Sequence, residues 1–152
     1  MKSVTAFVGS SRKRGLTSIV AREFLDNLES FGDVRGEIVF LSDYSIGVCR
    51  GCKSCFLKGE ERCTLKDDRD VLIEKMMAAD AVVFASPNYS FQVSGIVKVF
   101  LDRLGFVFHR PRFHGKAFAI DQILQTGNHH LQAAIGSADD DCALVGTNVA
   151  KG

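Results

Sequence analysis

At 152 residues, with 46% hydrophobic and 24% charged side chains, the chain has the size and composition of one soluble domain with a full core. A formal net charge of +1 argues against a dedicated nucleic-acid binder, whose surface would be strongly basic. The first residues run straight into a strand pattern and no apolar run is long enough to target or span a membrane, so the expectation is a cytoplasmic protein without a membrane partner.

Val4–Val8 is a short β-rich run that stops at Gly9-Ser10-Ser11. Leu16–Leu28 then carries Ile19, Val20, Phe24, Leu25 and Leu28 at helical spacing. Ile38–Leu41 reads as a second strand, followed by a cysteine-bearing loop over about 47–66. Asp67 and Asp68 supply cap candidates for a helix over Arg69–Ala79 with Leu72, Ile73, Met76 and Met77 inward. Ala81–Ala85 is apolar throughout, as a central parallel strand is when helices cover both faces. Ser94 is the cap candidate for a helix through Leu104, using Ile96, Val97, Phe100, Leu101 and Leu104. Lys116–Ile120 is a fourth strand, Leu131–Ser137 a weaker helix and Cys142–Val149 a fifth strand. This alternation predicts an α/β, flavodoxin-like, doubly wound sheet of five parallel strands in a single domain, with ligands at the carboxyl ends of the strands. The closing helix usual for that fold is expected to be missing, leaving the last strand open or covered by another subunit.

The segment joining the first strand to the first helix is Gly9-Ser10-Ser11-Arg12-Lys13-Arg14-Gly15-Leu16-Thr17-Ser18. Ser10, Ser11, Thr17 and Ser18 bring hydroxyls, Gly9 and Gly15 let backbone N–H groups turn inward, and the helix start adds partial positive charge. Arg12, Lys13 and Arg14 add a positive field. The pattern suits a phosphate monoester; the alternative is a polar turn with a solvated basic rim. It is neither a Walker A sequence nor a Gly-x-Gly-x-x-Gly fingerprint.

Cys49, Cys52, Cys55 and Cys63, four of the chain's five cysteines, crowd into the loop after the second strand. Ligands at i, i+3 and i+6 with a fourth beyond point to a 4Fe–4S cluster. Zinc is an alternative, although all-cysteine zinc sites more often come as two separated Cys-x-x-Cys knuckles. Reduced thiols carrying no metal are a third. Cys142 reads as a core residue.

Gly9-Ser10-Ser11-Arg12-Lys13-x-Gly15-x-Thr17 resembles the FMN phosphate loop of the NAD(P)H-dependent FMN reductase family. Ala85-Ser86-Pro87-Asn88-Tyr89-Ser90 is similar to that family's second signature, a turn against the flavin ring, and Val93–Arg103 continues the match. The cysteine loop followed by Lys66-Asp67-Asp68 resembles the iron–sulfur flavoprotein branch. The resemblance covers about residues 1–116. Leu16 stands where the family often has Asn, and after Ile120 only Thr126-Gly127 matches the third, Gly-rich flavin loop.

The resemblance implies FMN held by Ser10, Ser11, Arg12, Lys13, Gly15, Thr17, Ser18, Pro87, Asn88, Tyr89, Ser90, Thr126 and Gly127, with Cys49, Cys52, Cys55 and Cys63 as metal ligands. It implies NAD(P)H as electron donor, a small-molecule or protein acceptor, and a dimer or tetramer. The alternatives are an FMN or quinone reductase without a cluster and a non-catalytic flavin-binding electron carrier. No catalytic side chain is assigned, because no nucleophile–base pair or carboxylate pair can be argued. Phe108–His114 is a basic aromatic segment suited to a nicotinamide cofactor's phosphate, a subunit contact or an exposed loop. His129-His130 lacks carboxylate partners at metal-binding spacing.

Overall fold

The computed structural model describes residues 1–109, 112–123, 130–134 and 144–148, with side chains described for 1–109 and 112–119. In chain order it contains β1 (Lys2–Val8), α1 (Leu16–Ser30), β2 (Val34–Phe40), the short helix α2 (Ser54–Lys58), α3 (Arg69–Ala78), β3 (Ala81–Pro87), α4 (Gly95–Arg103), β4 (Ala117–Ile123), β5 (His130–Ala134) and β6 (Leu144–Asn148). Turns of 3-10 helix lie at Leu41–Asp43, Glu60–Arg62 and Gly105–Phe108. No helix of the described residues is long and apolar enough to cross a membrane.

The sheet order is β2-β1-β3-β4-β5-β6. The first four strands pair in parallel, as the flavodoxin-like class requires. β5 joins β4 antiparallel at Gln122–His130, and β6 lies antiparallel to β5 from His130–Asn148 to Ala134–Leu144. The expectation of five parallel strands is therefore corrected to four plus an antiparallel pair. The expected helix over Leu131–Ser137 is a strand in its described part, Leu131–Ala134. The physical reason is the connection from Ile123 to His130: a parallel crossover needs a dozen residues or more, so the chain returns antiparallel. Cys142, Thr126, Gly127 and His129 lie outside the described residues.

Alternation along β1 and β3 sorts the core into two layers. Val4, Ala6 and Val83 pack with Leu25 of α1, and Val8 and Ala85 meet Ala21 of the same helix. On the opposite face Phe7, Val82 and Phe84 pack with Leu72 and Met76 of α3 and with Val97 and Phe100 of α4. Phe7 stacks on Phe84 at 5.7 Å between ring centroids and lies 5.7 Å from Phe100. The central strands β1 and β3 are thus covered on both faces.

The expected inward faces hold, with Leu25, Leu72 and Met76 buried and Phe24, Leu28 and Ile73 packed on the core, but each of the two helices turns one expected core residue outward. The buried stripe of α1 is Thr17, Ser18, Ala21 and Leu25, with Ile19 45% exposed. Small residues at 18 and 21 let the helix lie close to the sheet, which turns Ile19 outward. In α3 the stripe is Arg69, Leu72 and Met76, and Met77 is 40% exposed. Asp68 stands at the N-cap position but makes no side-chain cap bond; its carboxylate accepts the Ser45 N–H at 2.7 Å instead.

β2 is an outer strand, and α1 leans over it at Gly36. A Cβ there would lie 2.9 Å from the Leu25 Cβ, and the Gly36 N–H donates to the Glu29 carboxylate at 2.7 Å.

Candidate cofactor site and cysteine loop

The order β2-β1-β3 means that the chain leaves β1 to one side and returns on the other. A crevice forms at such a switch point, outside the carboxyl ends of β1 and β3. The 9–18 loop leaves β1 there, and the 86–94 turn leaves β3 beside it. The Gly9 N–H donates to the Ala85 carbonyl at 2.8 Å, so the two segments start in contact.

Ser10 is buried at 6% exposure, and its hydroxyl accepts the Arg12 N–H at 3.2 Å. Ser18 is fully buried and donates to the Arg12 carbonyl at 2.9 Å, which also receives the Gly15 N–H at 3.0 Å. Ser18 therefore shapes the loop from beneath, where the sequence alone suggested a direct donor. Thr17 is buried as well, whereas Ser11, Arg12, Lys13 and Arg14 are exposed. Lys13 is drawn aside: its ammonium pairs with Asp43 at 2.8 Å and sits 5.5 Å from the Phe40 ring centroid. Gly15 occupies the cap position of α1 in an extended conformation, and no side chain caps the helix, so the N–H groups of Leu16 and Thr17 are left uncapped while the Ser18 N–H donates to the Gly15 carbonyl at 3.0 Å.

Across the crevice, Ser86 and Pro87 are buried, Asn88 is half-buried, and Tyr89 and Ser90 are exposed. Tyr89 and Gln92 exchange backbone hydrogen bonds at 2.9 and 3.0 Å, closing a tight hairpin. Its two central residues, Ser90 at φ 51° and Phe91 at φ 63°, are both left-handed, the requirement of a type I′ turn. Phe91 is 90% exposed, so no packing within the described chain offsets this conformation. Phe91→Gly is expected to stabilise the protein by about 1 kcal/mol, read as a raised urea midpoint at unchanged slope.

Ser94 ties the two segments together. It stands at the N-cap of α4, yet its hydroxyl makes no cap bond and donates across the crevice to the Gly9 carbonyl at 2.7 Å. Its N–H donates to the Ser86 hydroxyl at 2.8 Å, and that hydroxyl donates to the Pro87 carbonyl at 3.0 Å. Ser94→Ala leaves a buried carbonyl unpaired, and the expected loss in urea unfolding is about 1–3 kcal/mol.

The cysteine loop folds over the carboxyl end of α4. All four thiols, Cys49, Cys52, Cys55 and Cys63, line one cavity of about 220 Å³ together with Phe56, Arg69 and Arg103. Cys49 and Cys52 are exposed; Cys55 and Cys63 are half-buried. Left-handed backbone at Lys53 (φ 57°) and Gly51 (φ 65°) bends the chain into α2. The Cys52 thiol is lowered to about 7, first by the Ser54 side chain and backbone and then by Thr64, while burial pushes the Cys55 thiol up. The donor chemistry, four thiols around one cavity walled by two arginines, fits a thiolate-bound metal cluster. Among the described residues, however, no three His, Cys, Asp or Glu side chains stand close enough to hold one ion.

Behind the thiols lies a buried ionic cluster. Arg103, 3% exposed, donates through Nη1 to the Gly47 carbonyl at 2.7 Å and to Asp67 Oδ2 at 2.6 Å. Its Nη2 donates to Asp67 Oδ1 at 3.1 Å and reaches Cys63 Sγ at 3.6 Å. Asp67 also accepts the N–H groups of Gly47 and Arg69 at 2.9 and 3.2 Å. Burial opposes ionisation of Asp67, but these donors outweigh it and hold its carboxyl below the usual range. Arg69, 1% exposed, pairs through Nε with Asp70 at 2.8 Å and through Nη2 with the Glu60 carbonyl at 2.8 Å.

The chain matches the model of the NADPH-dependent FMN reductase family over residues 2–149. It belongs to that family. It is 40% identical over 116 residues to an iron–sulfur flavoprotein of Archaeoglobus fulgidus, an alignment covering 76% of this chain and 51% of the relative. An iron–sulfur flavoprotein of Methanocaldococcus jannaschii is 30% identical over 163 residues, covering 97% of this chain and 83% of the relative. The chain thus spans about half the length of the Archaeoglobus relative and most of the Methanocaldococcus one. Among solved structures, RosB with bound 8-demethyl-8-formylriboflavin-5′-phosphate is similar at a TM-score of 0.67 and 17% identity, covering 82% of this chain and 52% of that one. That likeness concerns the fold.

Three features of this FMN reductase family member were not singled out in its sequence. Hydropathy spacing gives Arg69 and Arg103 no role, although each lies on its helix's apolar stripe: 69, 72 and 76 in α3, and 97, 100 and 103 in α4. A charged residue at a core position was the available signal. The third is the contact between the basic aromatic segment and the cysteine loop. His109 meets the Phe56 ring edge-on at 4.5 Å, Arg112 pairs with Glu60, and Phe113 is buried, while Phe108 stays 89% exposed. Residues 110 and 111 of that segment lie outside the described residues.

Proposed function

We propose that the chain is an NAD(P)H-dependent FMN oxidoreductase that passes electrons from a nicotinamide cofactor through FMN, and through a 4Fe–4S cluster, to a small-molecule or protein acceptor. In this reading the chain is one FMN-binding domain with a cysteine loop inserted over about 47–66, acting as a dimer or tetramer. The observation that carries it is the meeting of the 9–18 loop and the 86–94 turn at the carboxyl ends of β1 and β3, where Ser94 binds one to the other. Family membership and the names of the two iron–sulfur flavoprotein relatives support the same reading.

When bound, FMN supplies hydride acceptance and one-electron steps, and the cluster supplies single-electron transfer; the protein supplies binding, orientation and electrostatics. Ser10, Ser11, Thr17 and the N–H groups opening α1 would hold the terminal phosphate, with Gly15 keeping that helix end free of a side-chain cap. Arg12 supplies positive field from the loop's exposed side, Lys13 acts from its pair with Asp43, and Ser18 keeps the loop closed. Pro87, Asn88, Tyr89 and Ser90 would orient the ring. Thr126 and Gly127, which the family resemblance adds to this set, lie outside the described residues. Cys49, Cys52, Cys55 and Cys63 would ligate the cluster, with Arg103 at their back.

A second reading, an FMN or quinone reductase with a metal-free cysteine loop, is favoured by the spacing of the thiols, since among the described residues no three ligating side chains stand close enough to hold one ion. Titration of the purified chain with FMN, followed by anaerobic NADPH or NADH and assay of iron and labile sulfide, separates these readings. Saturable FMN uptake, bleaching by the nicotinamide, and iron with sulfide are the expected results. FMN uptake and bleaching without iron favour the second reading. Uptake without bleaching makes the chain an electron carrier, and no uptake removes the oxidoreductase proposal altogether.

A further inference from the structure

Arg103 is held in a way that a structural anchor alone does not require. Two contacts of Nη1, to Gly47 and Asp67, and one of Nη2, to Asp67, fix the guanidinium plane. The remaining contact of Nη2 is to Cys63 Sγ, at 3.6 Å. Both side chains of the ion pair are shielded, at 1% exposure for Arg103 and 15% for Asp67, so water competes little for that N–H. Among the described residues Arg69 also borders the cavity, but its Nε and Nη2 are taken by Asp70 and the Glu60 carbonyl. We infer that Arg103 is a positioning residue whose guanidinium donates to the Cys63 sulfur, and that through this contact it raises the reduction potential of the metal cluster that sulfur ligates.

The inference rests on the cluster reading proposed above. Hydrogen bonds to cluster sulfurs and nearby charge are among the protein's means of setting such potentials, because each favours the more negative, reduced state. Asp67 complicates the sign in a useful way. It neutralises most of the arginine's charge, so in the wild type the directed N–H is the main lever. Removing the arginine also uncovers an anion, and removing the aspartate uncovers a cation.

The test is a redox titration of the reconstituted, FMN-loaded chain, followed by cluster spectroscopy, on Arg103→Gln, Asp67→Asn and the double variant. Iron and labile sulfide per chain are measured on each. With wild-type iron content, Arg103→Gln is expected to lower the ratio of reduced to oxidised cluster about tenfold at a fixed potential, about 59 mV for a one-electron couple. Asp67→Asn is expected to shift the ratio the other way. A purely structural role would move both in the same direction or neither. The double variant removes both charges and keeps the test available if either single variant fails to fold. Its potential is expected below wild type, because the sulfur contact is lost, and above Arg103→Gln where that variant folds. An iron-loaded wild type whose potential is unmoved by Arg103→Gln, or by the double variant, overturns the inference alone. A wild type that takes up no iron overturns the cluster reading and this inference together, and the iron assay tells the two cases apart.

Discussion

Replacing Gly9 by alanine is expected to weaken FMN binding at least tenfold and to lower stability by about 1–3 kcal/mol. A Cβ at this position would lie 2.0 Å from Val97 Cγ2 and 2.8 Å from Ser94 Oγ. Neither can yield cheaply. Val97 is 1% exposed in the core beneath α4, and Ser94 Oγ is committed to the Gly9 carbonyl. The loop or the helix must therefore retreat, and the bond joining the two candidate flavin-binding segments is the first to go. Urea unfolding and FMN fluorescence titration measure the two effects. Gly9→Ala combined with Val97→Ala removes the nearer clash and is expected to recover part of the lost affinity. Wild-type affinity in Gly9→Ala would show that the contact between loop and helix has no bearing on cofactor binding.

Asp67→Ala is expected to cost about 3–5 kcal/mol, because it strands a buried guanidinium without its counter-charge. The loss should appear as a lower urea midpoint at unchanged slope. Removing Arg103 as well should recover much of it, because an absent pair is less harmful than half of one. The pH dependence has a definite sign. The carboxyl of Asp67 is held below its usual value in the folded protein, so its contribution is complete above about pH 4, the unfolded-state range. It is lost as pH falls through the lower folded value. The stability gap between wild type and Asp67→Ala should therefore narrow in acid. A gap that stayed constant down to pH 2 would mean that the pair does not contribute as an ion pair.

Much of this arrangement was legible in the chain because its signals are local. A strand that stops at Gly9-Ser10-Ser11, a polar basic run and an amphipathic helix can be read without tertiary information, and so can the apolar strand ending at Ser86-Pro87. Ser94 was also found as the residue opening α4. What its hydroxyl does was not legible, because its partner, the Gly9 carbonyl, is a backbone atom far away in sequence. The same limit hid Arg103, whose partners Gly47, Cys63 and Asp67 come from a different stretch of chain. Residues 130–134 misled for another reason. Ala-rich composition suits a helix, and only the short return from Ile123 decides for a strand. In α1 only Ile19 departs from its expected side, because the buried Thr17 and Ser18 give no apolar signal, although small size is what burial against the sheet selects there.

The way α1 leans over β2 bears on how the protein behaves at high concentration. An outermost strand normally offers its unpaired N–H and carbonyl groups as a template on which another molecule can add a strand. Here the Glu29 carboxylate occupies the Gly36 N–H, and the missing side chain at Gly36 lets Leu25 and its helix settle on the sheet face close enough for Glu29 to reach that margin. A would-be partner strand meets a negative charge and the flank of a helix midway along β2. This margin is thereby protected against edge-to-edge polymerisation, without a proline or a bulge.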